Sequence, residues 1–172
     1  MTISMYQASV PVFVHMLTSL SGVLDKAEAH CTAKKIGPTV LPGTRLCPDM
    51  FALSRQVQIA CDFAKGTAAR LAGVDVPSFA DTETTFPELR ERIEKTIAFL
   101  ATFTASQIDG SEDREISMKV GAQEMHFKGL PYLTGFSLPN FYFHVTMVYA
   151  IARASGVELG KMDYLGMQRP AA

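Results

Sequence analysis

The stretch LPNFYFHVTMVYAIARASGVELGKMDYL, residues 138–165, decides the fold of this chain. Pro139 suits the first turn of a helix, because that turn leaves its backbone N–H groups without intrahelical partners. Gly156 suits the end of the same helix, where glycine commonly closes the last turn. The stretch therefore predicts a helix whose body is Phe141 to Ala154, followed by a short tail that packs across one end of the molecule.

Two polar residues interrupt the apolar face of this helix. Asn140 and His144 are four residues apart, so they lie one above the other, on the face that also carries Val148. Both side chains are predicted to point inward. A buried histidine needs hydrogen-bond partners for its ring nitrogens, or a metal ion in place of one of them.

Apolar residues at helical spacing predict three earlier helices. The first helix is predicted from about Ile3 to about Lys35, with a kink at Pro11 or a start after it. The second is predicted from a cap at Asp49 to about Leu71, and the third from near Thr85 to near Gln107. Alternating apolar and polar residues around Gly121 then predict a β-hairpin over residues 114–129. The predicted fold class is all-α: one domain, residues 1–172, forming an antiparallel four-helix bundle with a small β-hairpin between the third and fourth helices.

Composition excludes several classes of function. The chain has 16 basic and 17 acidic residues, scattered along its length, which argues against a nucleic-acid partner. The N-terminal segment lacks the pattern of a signal peptide or a membrane span, and the three cysteines have no CxxC spacing. A cytoplasmic protein with reduced thiols is expected. Because 48% of the residues are hydrophobic, we also expect a homodimer.

A metal site and a plain core histidine both remain open for His144. Gln56 lies on the inward side of the second predicted helix and offers an amide partner. A lone histidine on an apolar stripe is more often a core residue than a ligand. Helical zinc sites usually present three histidine or carboxylate ligands, and amides bind transition metals poorly. Asp62 is the nearest candidate carboxylate, but its position off the stripe favours a surface charge near Lys65.

Two blocks of sequence carry a resemblance to a known family. PDMFALSRQVQIACDFAK, residues 48–65, and LPNFYFHVTMVYAIARASGVELGKMDYLG, residues 138–166, resemble the DinB/YfiT-like superfamily of metal-dependent helical bundles, and within it a group of uncharacterised bacterial proteins. The superfamily's fourth helix carries His-x-x-x-His, and about twelve residues separate its second histidine from a glycine. His144 and Gly156 have this spacing.

The resemblance implies a depleted metal site. His144 takes the place of the second histidine, Asn140 that of the first, and Gln56 that of a histidine on the second helix. Two carboxamides in place of imidazoles should remove most of the affinity for zinc or nickel. The position is then expected to be a pocket lined by these three residues, with Tyr142 or Tyr149 nearby.

Three functions are compatible with such a pocket. The first is a small-molecule-binding or stress-related module. The second is a degenerate metal-dependent thiol transferase or hydrolase-like enzyme that uses His144 as a base or as its sole metal ligand. The third is a structural protein that acts by association and whose polar cluster only specifies the core.

Overall fold

The computed structural model describes residues 3–167, without the side chain of Val120. Four long helices, α1, α2, α3 and α6, form the predicted bundle. Shorter elements lie between α3 and α6 and after α6. The elements are α1 (Val10–Lys34), α2 (Leu53–Ala72), α3 (Phe86–Leu100), α4 (Ala105–Ile108), β1 (Glu115–Val120), β2 (Gln123–Lys128), α5 (Gly129–Pro131), a π-helix (Tyr132–Ser137), α6 (Leu138–Ala154) and α7 (Lys161–Tyr164).

Helix α2 is the centre of the bundle. It packs against α6 on one side and α3 on the other, and most of its residues are buried. It runs antiparallel to α6: Gln56 in its first turns contacts His144 within α6, whereas Thr67 near its end contacts Ser137 just before α6. This antiparallel packing brings Gln56 and His144 together.

The connector between α2 and α3, residues 74–85, returns along α2. Helix α2 ends at Gly73, which has the left-handed conformation predicted for it, with φ 72°. Further along, Asp81 pairs with Arg55, and Glu83 accepts a hydrogen bond of 3.0 Å from Gln58. The connector therefore delivers the start of α3 beside the first turns of α2.

The start of α2 differs from the prediction. Asp49 does not cap this helix; the N-cap is Ala52, whose side chain cannot form a capping hydrogen bond. The backbone N–H of Leu53 instead donates to the carbonyl of Thr44 at 3.0 Å, so the preceding loop folds back onto the helix start. A tertiary contact of this kind leaves no capping signature in the sequence.

Two other helix bounds also shift. Helix α1 begins at Val10, with Pro11 in its first turn, so of the two predicted starts the one at Pro11 is nearly met and the one near Ile3 is wrong. Helix α3 begins as predicted, but it ends at Leu100 rather than near Gln107. Thr104 and Gln107 form a capping box that starts the separate turn α4, and the helix cannot continue through that cap.

The hairpin is confirmed, and the segment after it was not predicted. Strands β1 and β2 pair antiparallel, with Ile116 opposite Phe127. The chain then passes through α5 and the π-helix directly into α6. After α6 the tail packs against α1, where Lys26 pairs with Asp163 at 2.5 Å. Within residues 3–167, no helix has both the length and the apolar character that a membrane span requires.

Candidate functional site

His144 and Gln56 form a buried hydrogen-bonded pair between α6 and α2. Nδ1 of His144 lies 2.6 Å from Oε1 of Gln56, and the histidine is only 8% exposed. Gln56 is fully enclosed, because it lies on the inward side of the first turns of α2. The structure thus brings together two of the residues singled out in the sequence.

The orientation of Gln56 determines which nitrogen of His144 carries the proton. Nε2 of Gln56 donates to the carbonyl of Phe51 at 3.3 Å, so its Oε1 faces the imidazole. A carbonyl oxygen only accepts, and Nδ1 of His144 must therefore be the donor. The neutral ring then keeps its lone pair on Nε2, which can accept a hydrogen bond from another group.

The surroundings of His144 hold it in the neutral form. Burial and, to a smaller extent, the nearby positive charge of Arg55 together lower the pKa of His144 from 6.5 to about 4. Two aromatic rings enclose the imidazole. Phe63 stacks on it with ring centres 5.9 Å apart, and Phe143 meets it edge-on at 5.3 Å. A proton acceptor with so low a pKa is a weak base but a persistent hydrogen-bond acceptor.

Asn140 lies one turn before His144, and its amide nitrogen is directed to the π-helix that precedes α6. Nδ2 of Asn140 donates to the carbonyl of Phe136 at 2.7 Å. Phe136 belongs to the π-helix, where the change in helical pitch alters the normal backbone pairing. The interaction ties the end of that segment to the start of α6.

The structure does not bring Tyr142 and Tyr149 to the His144–Gln56 pair. Tyr142 is two residues before His144, and residues at that separation face opposite sides of a helix. The ring of Tyr149 lies 5.9 Å from that of Tyr164, in the tail. Burial raises the pKa of Tyr142, with a smaller contribution from Tyr164, which places this tyrosine beside the same tail residue. Both tyrosines therefore face the tail.

Asp62 belongs to a charge cluster on the other side of α2. Its carboxylate lies 2.9 Å from both Lys65 and Arg92. The side chain of Arg92 is 1% exposed and also pairs with Asp81 at 2.9 Å and Glu83 at 3.0 Å. These interactions leave Asp62 engaged by cations, so its carboxylate is not directed at the imidazole of His144.

The residues present do not fit a zinc or nickel site. His144 offers one imidazole nitrogen, while the oxygen of Gln56 already accepts a hydrogen bond and the amide nitrogen of Asn140 donates to the carbonyl of Phe136. Among residues 3–167, no group of three or more histidine, cysteine, aspartate or glutamate side chains is arranged to hold a metal ion. Neutral amides are poor ligands for these metals, which prefer imidazole and thiolate.

Comparison with known proteins identifies the family. The model of DUF1993, a domain of unknown function, matches residues 5–165. The chain belongs to this family. It is also similar to the crystal structure of a DinB family member protein from Shewanella denitrificans: the two are 39% identical, and the alignment covers 97% of this chain and 94% of that chain with a TM-score of 0.85. A search of curated proteins finds no match.

This DUF1993 chain therefore has a DinB-like fold, as its two sequence blocks indicated. Sequence reasoning did not single out Phe63 or Arg92. Phe63 follows Gln56 by seven residues, a separation that returns to the same helix face, so its position beside the pair could have been found. Arg92 lies between Leu89 and Thr96 on the apolar stripe of α3, and a charge on that stripe is a signal for a buried ion pair.

Proposed function

We propose that this DUF1993 chain is a small-molecule-binding protein whose ligand donates a hydrogen bond to Nε2 of His144. The observation that supports the proposal is the orientation of Gln56, which places the proton on Nδ1 and leaves the lone pair on Nε2. Since the pKa of His144 is lowered to about 4, the ring stays neutral near pH 7. A hydroxyl, amide or thiol donor suits this acceptor.

The rings beside His144 favour a ligand with an apolar body. Phe63 stacks on the imidazole, and Phe143, which is 51% exposed, leaves its outer edge open to solvent. An aromatic ring placed against Phe143 would gain contact area and favourable ring geometry. Phenol combines such a ring with one O–H donor and is therefore a suitable probe.

The test is a titration of ¹⁵N-histidine-labelled protein with phenol, followed through the ring nitrogens of His144. We expect phenol to shift the Nε2 signal saturably, whereas toluene, which has the same ring without a donor, should not. The response should be lost in His144→Leu. In Gln56→Leu, the imidazole is free to exchange tautomers, so weaker phenol binding is expected.

Two results would overturn the proposal. A structural role would be indicated if phenol, acetamide and 2-mercaptoethanol all leave the Nε2 signal unchanged and His144→Leu is more stable than the parent. A metalloenzyme would be indicated if elemental analysis of the purified protein finds stoichiometric zinc or nickel that disappears in His144→Leu.

A further inference from the structure

A pocket lies on the outer side of α2, next to the hairpin. It has a volume of about 130 Å³ and is lined by Asp62, Phe63, Arg70 and Met118. Phe63 also stacks on His144, so the pocket and the His144–Gln56 pair share one wall. The remaining lining residues take no part in that pair, and the pocket can therefore be tested separately.

Arg70 gives this pocket a positive charge. Its Nη1 donates to the hydroxyl of Tyr132 at 3.2 Å, a neutral acceptor that leaves the charge of the guanidinium uncompensated. No ion pair joins Arg70 to a carboxylate within residues 3–167. The carboxylate of Asp62 is already held by Lys65 and Arg92, each at 2.9 Å. The guanidinium thus retains N–H donors for an anion.

The other walls select the body of the ligand. Phe63 and Met118 supply an aromatic face and a flexible thioether, both of which favour contact with a ring. A cavity of about 150 Å³ is known to hold benzene, so the volume here matches a single small ring. We infer that this pocket binds a small aromatic or branched aliphatic monocarboxylate, with its carboxylate on Arg70 and its apolar body against Phe63 and Met118.

Gly66 leaves the space that the guanidinium of Arg70 occupies. A Cβ atom built on Gly66 would lie 2.5 Å from Nη1 of Arg70, so the guanidinium occupies the space that any side chain at this position would take. Gly66→Ala should displace the guanidinium while keeping its charge. Because alanine is a better helix former than glycine and the guanidinium is the flexible end of its side chain, the same substitution is expected not to weaken α2.

The experiment measures benzoate binding by calorimetry and by amide chemical shifts, with benzamide as the neutral control. We expect saturable benzoate binding that weakens about tenfold or more in Arg70→Gln, because hydrogen bonds between charged partners dominate such sites. Gly66→Ala should also weaken it, with a melting temperature no lower than that of the parent. Arg153→Gln, at an exposed position in the last turn of α6, should bind as the parent does.

Three results would overturn the inference: no saturable benzoate binding by the parent, equal binding of benzamide, or unchanged binding in Arg70→Gln. The test is also independent of the proposed function. His144→Leu should keep benzoate binding, and Arg70→Gln should keep the response of His144 to phenol. The proposal for His144 and the inference for Arg70 can therefore be refuted independently of each other.

Discussion

His144 contributes to folding only while it is neutral. Its ring is enclosed between α2 and α6, and its single proton is donated to Gln56. Adding a second proton would place a charge beside Phe63 and near the cation Arg55, with little water to solvate it. The protonation state of one residue thus links acidity to the stability of the whole fold.

This linkage predicts a loss of stability in mild acid. The pKa of His144 is about 4 in the folded chain and 6.5 for an unperturbed histidine, so the unfolded chain takes up the proton first as the pH falls. Stability should fall between pH 6.5 and about 4 and then level off. The contribution is roughly 3 kcal/mol, at 1.36 kcal/mol for each pKa unit.

Urea unfolding of the parent and His144→Leu at several pH values measures this contribution. The leucine variant leaves Gln56 without its partner, but that cost is the same at every pH. We expect the gap between the two free energies of unfolding to change by roughly 3 kcal/mol in the variant's favour between pH 7 and 4. Parallel profiles would show that His144 does not titrate in this way.

The sequence predicted the His144–Gln56 contact but not its chemistry. Helical spacing places both residues on inward faces, and the DinB-like register aligns those faces. The tautomer of His144 depends on the carbonyl of Phe51, which lies in the loop before α2 and has no sequence signal. The direction of Asn140 depends on a π-helix that periodicity at 3.6 residues does not describe.

At the scale of elements, the connector of residues 74–85 has little regular structure and is held mainly by charge. Arg92 of α3 binds Asp81 and Glu83 of the connector and also Asp62 of α2. Its Nη1 additionally donates to the carbonyl of Ala80 at 2.9 Å. One buried guanidinium therefore joins two helices to the segment between them.

Loss of this guanidinium should release the connector. Arg92→Met leaves three carboxylates without their shared cation, and breaking a buried ion pair typically costs about 3–5 kcal/mol. Arg90→Met is the matched control on the same helix. The side chain of Arg90 is 22% exposed, against 1% for Arg92, so loss of its pairs with Asp25 and Glu28 should cost about 1 kcal/mol or less. Urea unfolding gives both values. Limited proteolysis should cleave residues 74–85 faster in Arg92→Met than in Arg90→Met. Equal cleavage in the two variants would show that Arg92 does not hold the connector in place.

The junction between the hairpin and α6 is a second element fixed by close packing. The backbone N–H of Leu130 donates to the carbonyl of Glu112 at 2.9 Å, which draws the start of α5 against the loop before β1. A Cβ atom on Gly129 would lie 1.9 Å from the carbonyl oxygen of Ser111. The backbone can approach this closely only because residue 129 has no side chain.

Gly129→Ala is therefore expected to destabilise the chain by about 1–3 kcal/mol, the usual cost of overpacking. Gly135→Ala is the matched control, because a Cβ atom there meets nothing within 4 Å. Removing a glycine from that helical segment should stabilise the chain by roughly 0.5–1 kcal/mol. Thermal unfolding measures the stability of both variants. If Gly129→Ala were as stable as Gly135→Ala, the close approach of residue 129 to the carbonyl oxygen of Ser111 would be excluded.

The four long helices and the hairpin were predictable because their periodic patterns run over many residues. Helix ends were less so: Asp49 had the right chemistry for a cap, yet the loop contact between Leu53 and Thr44 determines where α2 starts. The short elements α4, α5 and the π-helix lie below the length at which periodicity is informative. Their positions follow from tertiary contacts.

At the scale of the whole molecule, part of the apolar content remains on the surface. Phe143 is 51% exposed and Phe51 is 54% exposed. Both adjoin the His144–Gln56 pair, since Phe143 contacts the imidazole ring and Phe51 supplies the carbonyl that orients Gln56. Exposed aromatic side chains of this kind are enriched where a protein meets a partner or a ligand.

We propose that, when the ligand of His144 is absent, a second copy of the chain covers Phe143, which is how we expect the homodimer to form. Sedimentation of the parent at micromolar concentration should then show a dimer, and Phe143→Ser should shift it towards monomer, with a dissociation constant about tenfold or more higher. Leu130→Ser is the control, because Leu130 is also exposed, at 46%, but lies at the hairpin junction. A monomeric parent would refute the dimer. A dimer that Phe143→Ser leaves intact would place the interface on another face, and Phe143 would then remain open to the ligand of His144.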